Sequence, residues 1–209
     1  MIHQTFENLP ETKKHALLDA AMDEFITNGY EKSSINRILS DAGIPKGSFY
    51  QYFDGKEDLL NACMDTAAAH IISYKNDRDH PLLLSMVTAS GYENAKQSFR
   101  MDLSSALSEK EQKLVQVLLQ SPDFIRLQGF SHLSWKWIEP EMQKEVQKMP
   151  ELEGIDKSYA AYLLSQCETL SLNYVLRAGK QPEAALEKTY EYLKYLYAGI
   201  RSISSDRNH

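Results

Sequence analysis

Cysteine is scarce in this chain. Cys63 and Cys167 are the two among 209 residues, so neither a disulfide framework nor a four-cysteine zinc site can be built from them. Both are expected as small buried apolar residues, and a reducing, cytoplasmic compartment fits. Long apolar runs are missing too. None approaches the roughly 18 residues of a membrane span, and the polar stretch from Met1 to Lys14 lacks the apolar core of a signal peptide, so no membrane partner is expected. Basic charge is not in excess: 23 Lys and Arg stand against 29 Asp and Glu, a net of −6. That excludes a protein that coats nucleic acid without specificity, since such proteins are strongly basic. Catalytic spacing is equally absent. The six histidines form no His-x-x-x-His pair, and there is no glycine-rich phosphate loop and no Gly-x-Ser-x-Gly elbow. No enzyme, metal or cofactor is expected.

Period-2 alternation is essentially missing, while period-3.6 patterning is everywhere. The chain therefore reads as all-α, without repeats, low-complexity tracts or a long linker. A first helix is expected over 11–28, with Leu18, Ala21, Met22, Phe25 and Ile26 as its apolar stripe and Gly29 as its C-cap. A short helix follows over 34–40, capped by Ser33 or Ser34 and burying Ile35, Ile38 and Leu39. A third opens at Pro45, a residue suited to a first helical position, and ends near Tyr52. Asp54-Gly55-Lys56-Glu57 then reads as a capping box, with Asp54 as N-cap and Glu57 reaching back. It starts a helix over about 55–79 that carries Leu60, Met64, Ala67, Ile71 and Tyr74 on one face.

The two short helices, joined by a turn at Gly43 and braced by the first helix, follow the helix-turn-helix plan. Ile38, Ala42 and Ile44 would pack between them, and the second would project Lys46, Ser48, Tyr50 and Gln51 outward, as a helix entering a major groove does. Residues 1–62 hold six Lys and Arg against ten Asp and Glu, but residues 32–56 hold four against two. The basic surface is small and local.

The run from Ile44 to Leu60, IPKGSFYQYFDGKEDLL, with Ser34-Ile35-x-x-Ile38 and Ala42-Gly43-Ile44 before it, closely resembles the signature of tetracycline-repressor (TetR) family transcriptional regulators. The resemblance covers about residues 12–62. It implies an N-terminal DNA-binding domain over 1–62 and an effector-binding and dimerisation domain over 63–209. It places DNA contacts on Ser33, Ser34, Arg37, Pro45, Lys46, Gly47, Ser48, Tyr50, Gln51, Tyr52 and Lys56. By that resemblance Ser33 or Ser34, Tyr50 and Lys56 hold the DNA backbone, and Lys46, Ser48, Gln51 and Arg37 read bases. Gly47 lets the backbone come close, while Phe49 and Phe53 pack inside. Pro45 departs from the pattern, because a Ser or Thr is usual there, and it removes one hydroxyl.

Beyond residue 62 the pattern is less specific. A helix is expected over 92–107, an amphipathic one over 109–120, and a long aromatic-rich one over 123–147 kinked near Gly129 or Pro140. Two more follow at about 157–177 and 182–203. In the last, Leu186, Tyr190, Leu193, Tyr197 and Ile200 are spaced as a heptad-like seam. Tyr192, Tyr195 and Leu196 form a second apolar edge. The last two helices pair with those of a second subunit as a four-helix bundle, or are buried in a larger monomeric core. The resemblance implies a small, mostly apolar effector held by some of Phe124, Phe130, Trp135, Tyr162, Cys167 and Tyr174. The function it implies is a homodimeric regulator, a repressor by default, of double-stranded operator DNA. The competing reading is an all-α ligand-binding or adaptor module without DNA binding.

Overall fold

A computed structural model describes residues 2–76, 106–120, 132, 134–147, 152, 155–178, 187–188, 190–196, 198–199 and 202. Among them the architecture is all-α, with no strand beyond one isolated bridge between Ile2 and Phe53. The helices are α1 (Gln4–Glu7), α2 (Glu11–Lys32), α3 (Ile35–Asp41), α4 (Phe49–Tyr52), α5 (Lys56–Asn76), α6 (Glu109–Gln120), α7 (Glu139–Gln147) and α8 (Lys157–Ala178). The chain divides into two compact units. One comprises residues 1–71 and 106–129, the other residues 72–105 and 130–209.

In the first unit α2 is the brace. It carries a carboxylate, Glu11, in its first turn and a cation, Lys32, in its last, both favourable to the helix dipole. Its buried side chains are Leu17, Ala21, Met22, Glu24 and Phe25, so the stripe runs through Leu17. Leu18 and Ile26 are only half-buried. Gly29 has φ 69° and breaks the helical path, as its expected cap role requires. The last turn, Tyr30–Lys32, follows this break.

Ser34 is the N-cap of α3, its Oγ accepting from the Arg37 N–H at 3.5 Å. Gly43 has φ 65°, the left-handed conformation that makes the turn. The third helix departs from expectation in detail. Pro45 is extended, with ψ 135°, and precedes a 3₁₀ turn over Lys46–Ser48 that becomes α4. The capping box is also corrected. The Asp54 N–H is accepted at 3.0 Å by Asp58 Oδ2, not by Glu57, and the Asp54 carboxylate turns to His3 Nε2 at 2.7 Å. Leu17, Phe25, Ile38, Leu39, Phe49, Phe53, Leu59 and Leu60 are almost wholly buried. The burial of an aromatic such as Phe49 contributes on the order of 2–3 kcal/mol.

Helix α6 belongs to this same unit and packs on α2. Leu114, Val115 and Leu118 are its buried side. Ser108 and Glu111 form a reciprocal capping box at its start. The Ser108 N–H donates to Glu111 Oε2 at 2.8 Å, and the Glu111 N–H to Ser108 Oγ at 3.3 Å. Lys110 Nζ reaches Asp19 and Asp23 on α2, at 2.6 and 2.8 Å.

In the second unit a π-helical turn over Ser134–Ile138 leads into α7, whose second residue is Pro140. Proline donates no N–H and its ring crowds the carbonyl four residues back. A wider turn at that point relieves both; Gly129, the other position expected to kink this segment, lies outside the described residues. Ile138, Met142, Val146, Leu152, Ala160, Ala161, Leu164 and Leu193 make the core.

Candidate DNA interface

The expected DNA-facing residues divide into two groups. Pro45, Lys46, Gly47, Tyr50 and Gln51 are exposed, and Ser48 and Tyr52 half-exposed, along the 3₁₀ turn and α4. Tyr50 is 69% exposed. A large aromatic left so open on a short helix has no part in the core. What holds the segment from behind is apolar. Phe49 packs edge-on to Tyr50 at 5.2 Å between ring centroids, and Phe53 packs on Phe6 of α1 at 4.8 Å. The N-terminal segment also ties the end of α4. The His3 N–H donates to the Tyr52 carbonyl at 2.9 Å, and the Thr5 hydroxyl donates to the Gln51 carbonyl. This strap has no signature of its own; Phe6, an isolated aromatic in a polar stretch, is the one hint of it.

The second group lies at the end of α2. Ser33 is buried, and its hydroxyl donates to the Tyr30 carbonyl at 2.6 Å. Arg37 forks onto Glu24. Its Nε lies 3.0 and 3.1 Å from the two carboxylate oxygens, its Nη2 2.5 Å from Oε1. The same Nη2 donates to the Lys32 carbonyl at 3.0 Å. Lys56 Nζ donates to the carbonyls of Tyr30, Glu31 and Ser33 at 2.5, 3.3 and 3.2 Å and sits 4.5 Å from the centroid of the Tyr30 ring. Glu24, a buried glutamate on α2, was not singled out by the sequence. The hydrogen bond from Arg37, helped by the Ser34 N–H and opposed by burial, holds its carboxyl below the usual glutamate range. Its signal was a carboxylate lying on the apolar side of an amphipathic helix.

Elsewhere, Cys63 is fully buried, and burial pushes its thiol pKa up, which fits an inert core residue. Of the residues expected around an effector, Trp135 and Tyr162 are exposed, at 69% and 43%. Cys167 packs against the core of its unit. Phe124, Phe130 and the side chain of Tyr174 lie outside the described residues. Of the expected dimer seam, Leu193 is buried in the subunit's own core and Tyr190 is half-buried. Leu186, Tyr197 and Ile200 lie outside the described residues. Of the second apolar edge, Tyr195 is 80% and Tyr192 40% exposed, while Leu196 packs against the core of its own unit. No helix among the described residues is long and apolar enough to cross a membrane.

The family model for bacterial regulatory proteins of the tetR family matches residues 17–63. The chain is 25% identical over 113 residues to the HTH-type transcriptional regulator SrpR of Pseudomonas putida, covering 54% of this chain and 47% of that protein. It is 41% identical over 44 residues to the fatty acid metabolism regulator protein of Bacillus subtilis, covering 21% of this chain and 23% of that one. The chain thus spans about half the length, or less, of these curated relatives. Its fold is shared with a TetR-family regulator from Syntrophomonas wolfei, with TM-score 0.56 and 21% identity over 90% of this chain and 96% of the other. It is shared also with one from Pectobacterium atrosepticum, with TM-score 0.50 and 21% identity over 96% and 97%.

Proposed function

We propose that this chain is a member of the tetR family of bacterial regulatory proteins, whose model matches residues 17–63, and that it is a sequence-specific DNA-binding transcriptional repressor acting as a homodimer. The observation that carries this is the face of exposed Lys46, Gly47, Tyr50 and Gln51 and half-exposed Ser48, held from behind by the buried Phe49 and Phe53. A short rigid helix with a polar outer face fits the major groove, where lysine suits guanine and glutamine suits adenine. Tyr50, Tyr52 and Ser34 supply hydroxyls for phosphate oxygens, which fix register. Residues 1–62 form the DNA-reading part and residues 63–209 the sensing and pairing part. The exposed Tyr192 and Tyr195 edge of the last helix meets its counterpart in the second subunit, and a small, mostly apolar effector bound in the C-terminal part moves α5 and changes the spacing of the recognition helices. Half-sites must match that spacing, so a small rotation releases the operator.

The test is a fluorescence-anisotropy titration of the full chain against duplexes from the region upstream of its own gene. Tight binding to one duplex, weakening steeply as salt rises, supports the reading. No binding at low salt overturns it.

A further inference from the structure

The end of α2 presents four consecutive carbonyl oxygens, those of Tyr30, Glu31, Lys32 and Ser33, and every one is capped by a cation from a later element. Lys56 takes three and Arg37 takes the fourth. A helix C-terminus leaves such carbonyls without intrahelical partners, and its dipole makes them favourable sites for cations. An ammonium has three N–H donors, so three acceptors within 3.3 Å account for all of Lys56. Arg37 is likewise matched to Glu24, which neutralises its charge while also accepting the Ser34 N–H at 2.8 Å. The two cations join α2 to the start of α3 and to the start of α5, the helices on either side of the recognition segment. Of the four cations in residues 32–56, Lys32 and Lys46 are the two whose side chains are exposed without such an internal role.

We propose that Arg37 and Lys56 are positioning residues that cap the end of α2 and thereby set the pose of the recognition segment, and that the motif neutralises phosphates through Lys32 and Lys46. This rests on the DNA-binding reading above. It differs from the contacts implied by family resemblance, which put Lys56 on the DNA backbone and Arg37 on a base.

The experiment uses the full-length protein and a fluorescein-labelled duplex selected from a random-sequence pool by the wild type. The slope of log affinity against log salt and the thermal midpoint are measured for the wild type and for Lys32→Met, Lys46→Met, Arg37→Met and Lys56→Met. Each lost lysine–phosphate contact lowers the slope by about 0.9, hence by about 1.8 for a dimer. Lys46→Met is expected to do this with an unchanged midpoint, and Lys32→Met with a midpoint lowered by no more than about 1–2 °C, the worth of its charge at the end of α2. Lys56→Met and Arg37→Met are expected to keep the wild-type slope, weaken binding by the same factor at every salt concentration, and lower the midpoint by about 2–6 °C. A slope lowered by Lys56→Met as much as by Lys46→Met, at an unchanged midpoint, overturns the assignment. Should Lys56→Met not fold, the wild type decides. The Lys56 ammonium ¹⁵N resonance should be visible without DNA and unmoved on adding the duplex, and a shift equal to that of Lys46 overturns the proposal. If the wild type binds no duplex, the regulator reading fails separately, and equal midpoints for Lys56→Met and Lys46→Met would then overturn the capping role as well.

Discussion

Glu24 and Ser34 are ten residues apart, and the carboxylate of the one accepts the backbone N–H of the other at 2.8 Å while holding Arg37 by two further hydrogen-bonding nitrogens. A single buried side chain thus fixes where α3 begins. Replacing it with alanine strands the Ser34 N–H and the guanidinium together. Glu24→Ala is expected to lose about 1–3 kcal/mol of stability, measured by urea unfolding. A loss below a few tenths would show that water replaces the carboxylate without penalty.

The same carboxyl gives a pH dependence with a defined sign. Its folded-state pKa lies below the ordinary 4.5 because Arg37 donates to the ionised form. Its contribution is therefore fully present above that ordinary value and is lost as pH falls through the lower folded value. The stability gap between wild type and Glu24→Gln should stay constant from pH 7 to 5 and close below about 4.5. A gap that persists unchanged at pH 3 would contradict the ion pair.

Gly43 adopts φ 65° with nothing within 4 Å of an added Cβ, so a substitution meets backbone strain and no clash. Gly43→Ala is expected to cost roughly 1 kcal/mol, and Gly43→Asn less, because asparagine tolerates the left-handed region. Equal losses for the two variants in thermal unfolding would point to a cause other than the dihedral angle.

Glu111 is buried and serves two partners. Its Oε1 accepts from His70 Nδ1 on α5 at 2.8 Å, and its Oε2 caps α6 through Ser108. Glu111→Ala should destabilise by about 1–3 kcal/mol. Ser108→Ala, which keeps the backbone N–H and the His70 contact, should cost less. Chemical denaturation of both variants ranks them, and the reverse order would refute the shared role.

On the last helix, Tyr195→Glu places a charge on the exposed edge assigned to pairing. Sedimentation equilibrium should show the dimer weakened by tenfold or more, since desolvating an unpaired carboxylate costs more than 1.4 kcal/mol. An unchanged dimer would move the interface elsewhere.

The helix-turn-helix was legible because its signals are local. Ser34 as a cap, Gly43 as a turn, and Phe49 and Phe53 as buried anchors each follow from the residue and its neighbours. The partners of Arg37 and Lys56 were not legible, because exposed and internally bonded cations look alike in a sequence. Carbonyl acceptors belong to the backbone and leave no residue signature at all. The box at Asp54 was read one residue short for a related reason. Glu57 and Asp58 are both acids in the first turn, and only the fold shows which one reaches back. In the C-terminal part, the heptad spacing marked Leu193 as apolar without distinguishing the subunit's own core from a partner's.

Helix α6 packs on α2 across about ninety residues of chain, fastened by Lys110 to Asp19 and Asp23. On the ribosome, then, α2 gains this cover only once residues 109–120 have been made. A message truncated just past the helix-turn-helix yields a chain whose α2 lacks this cover.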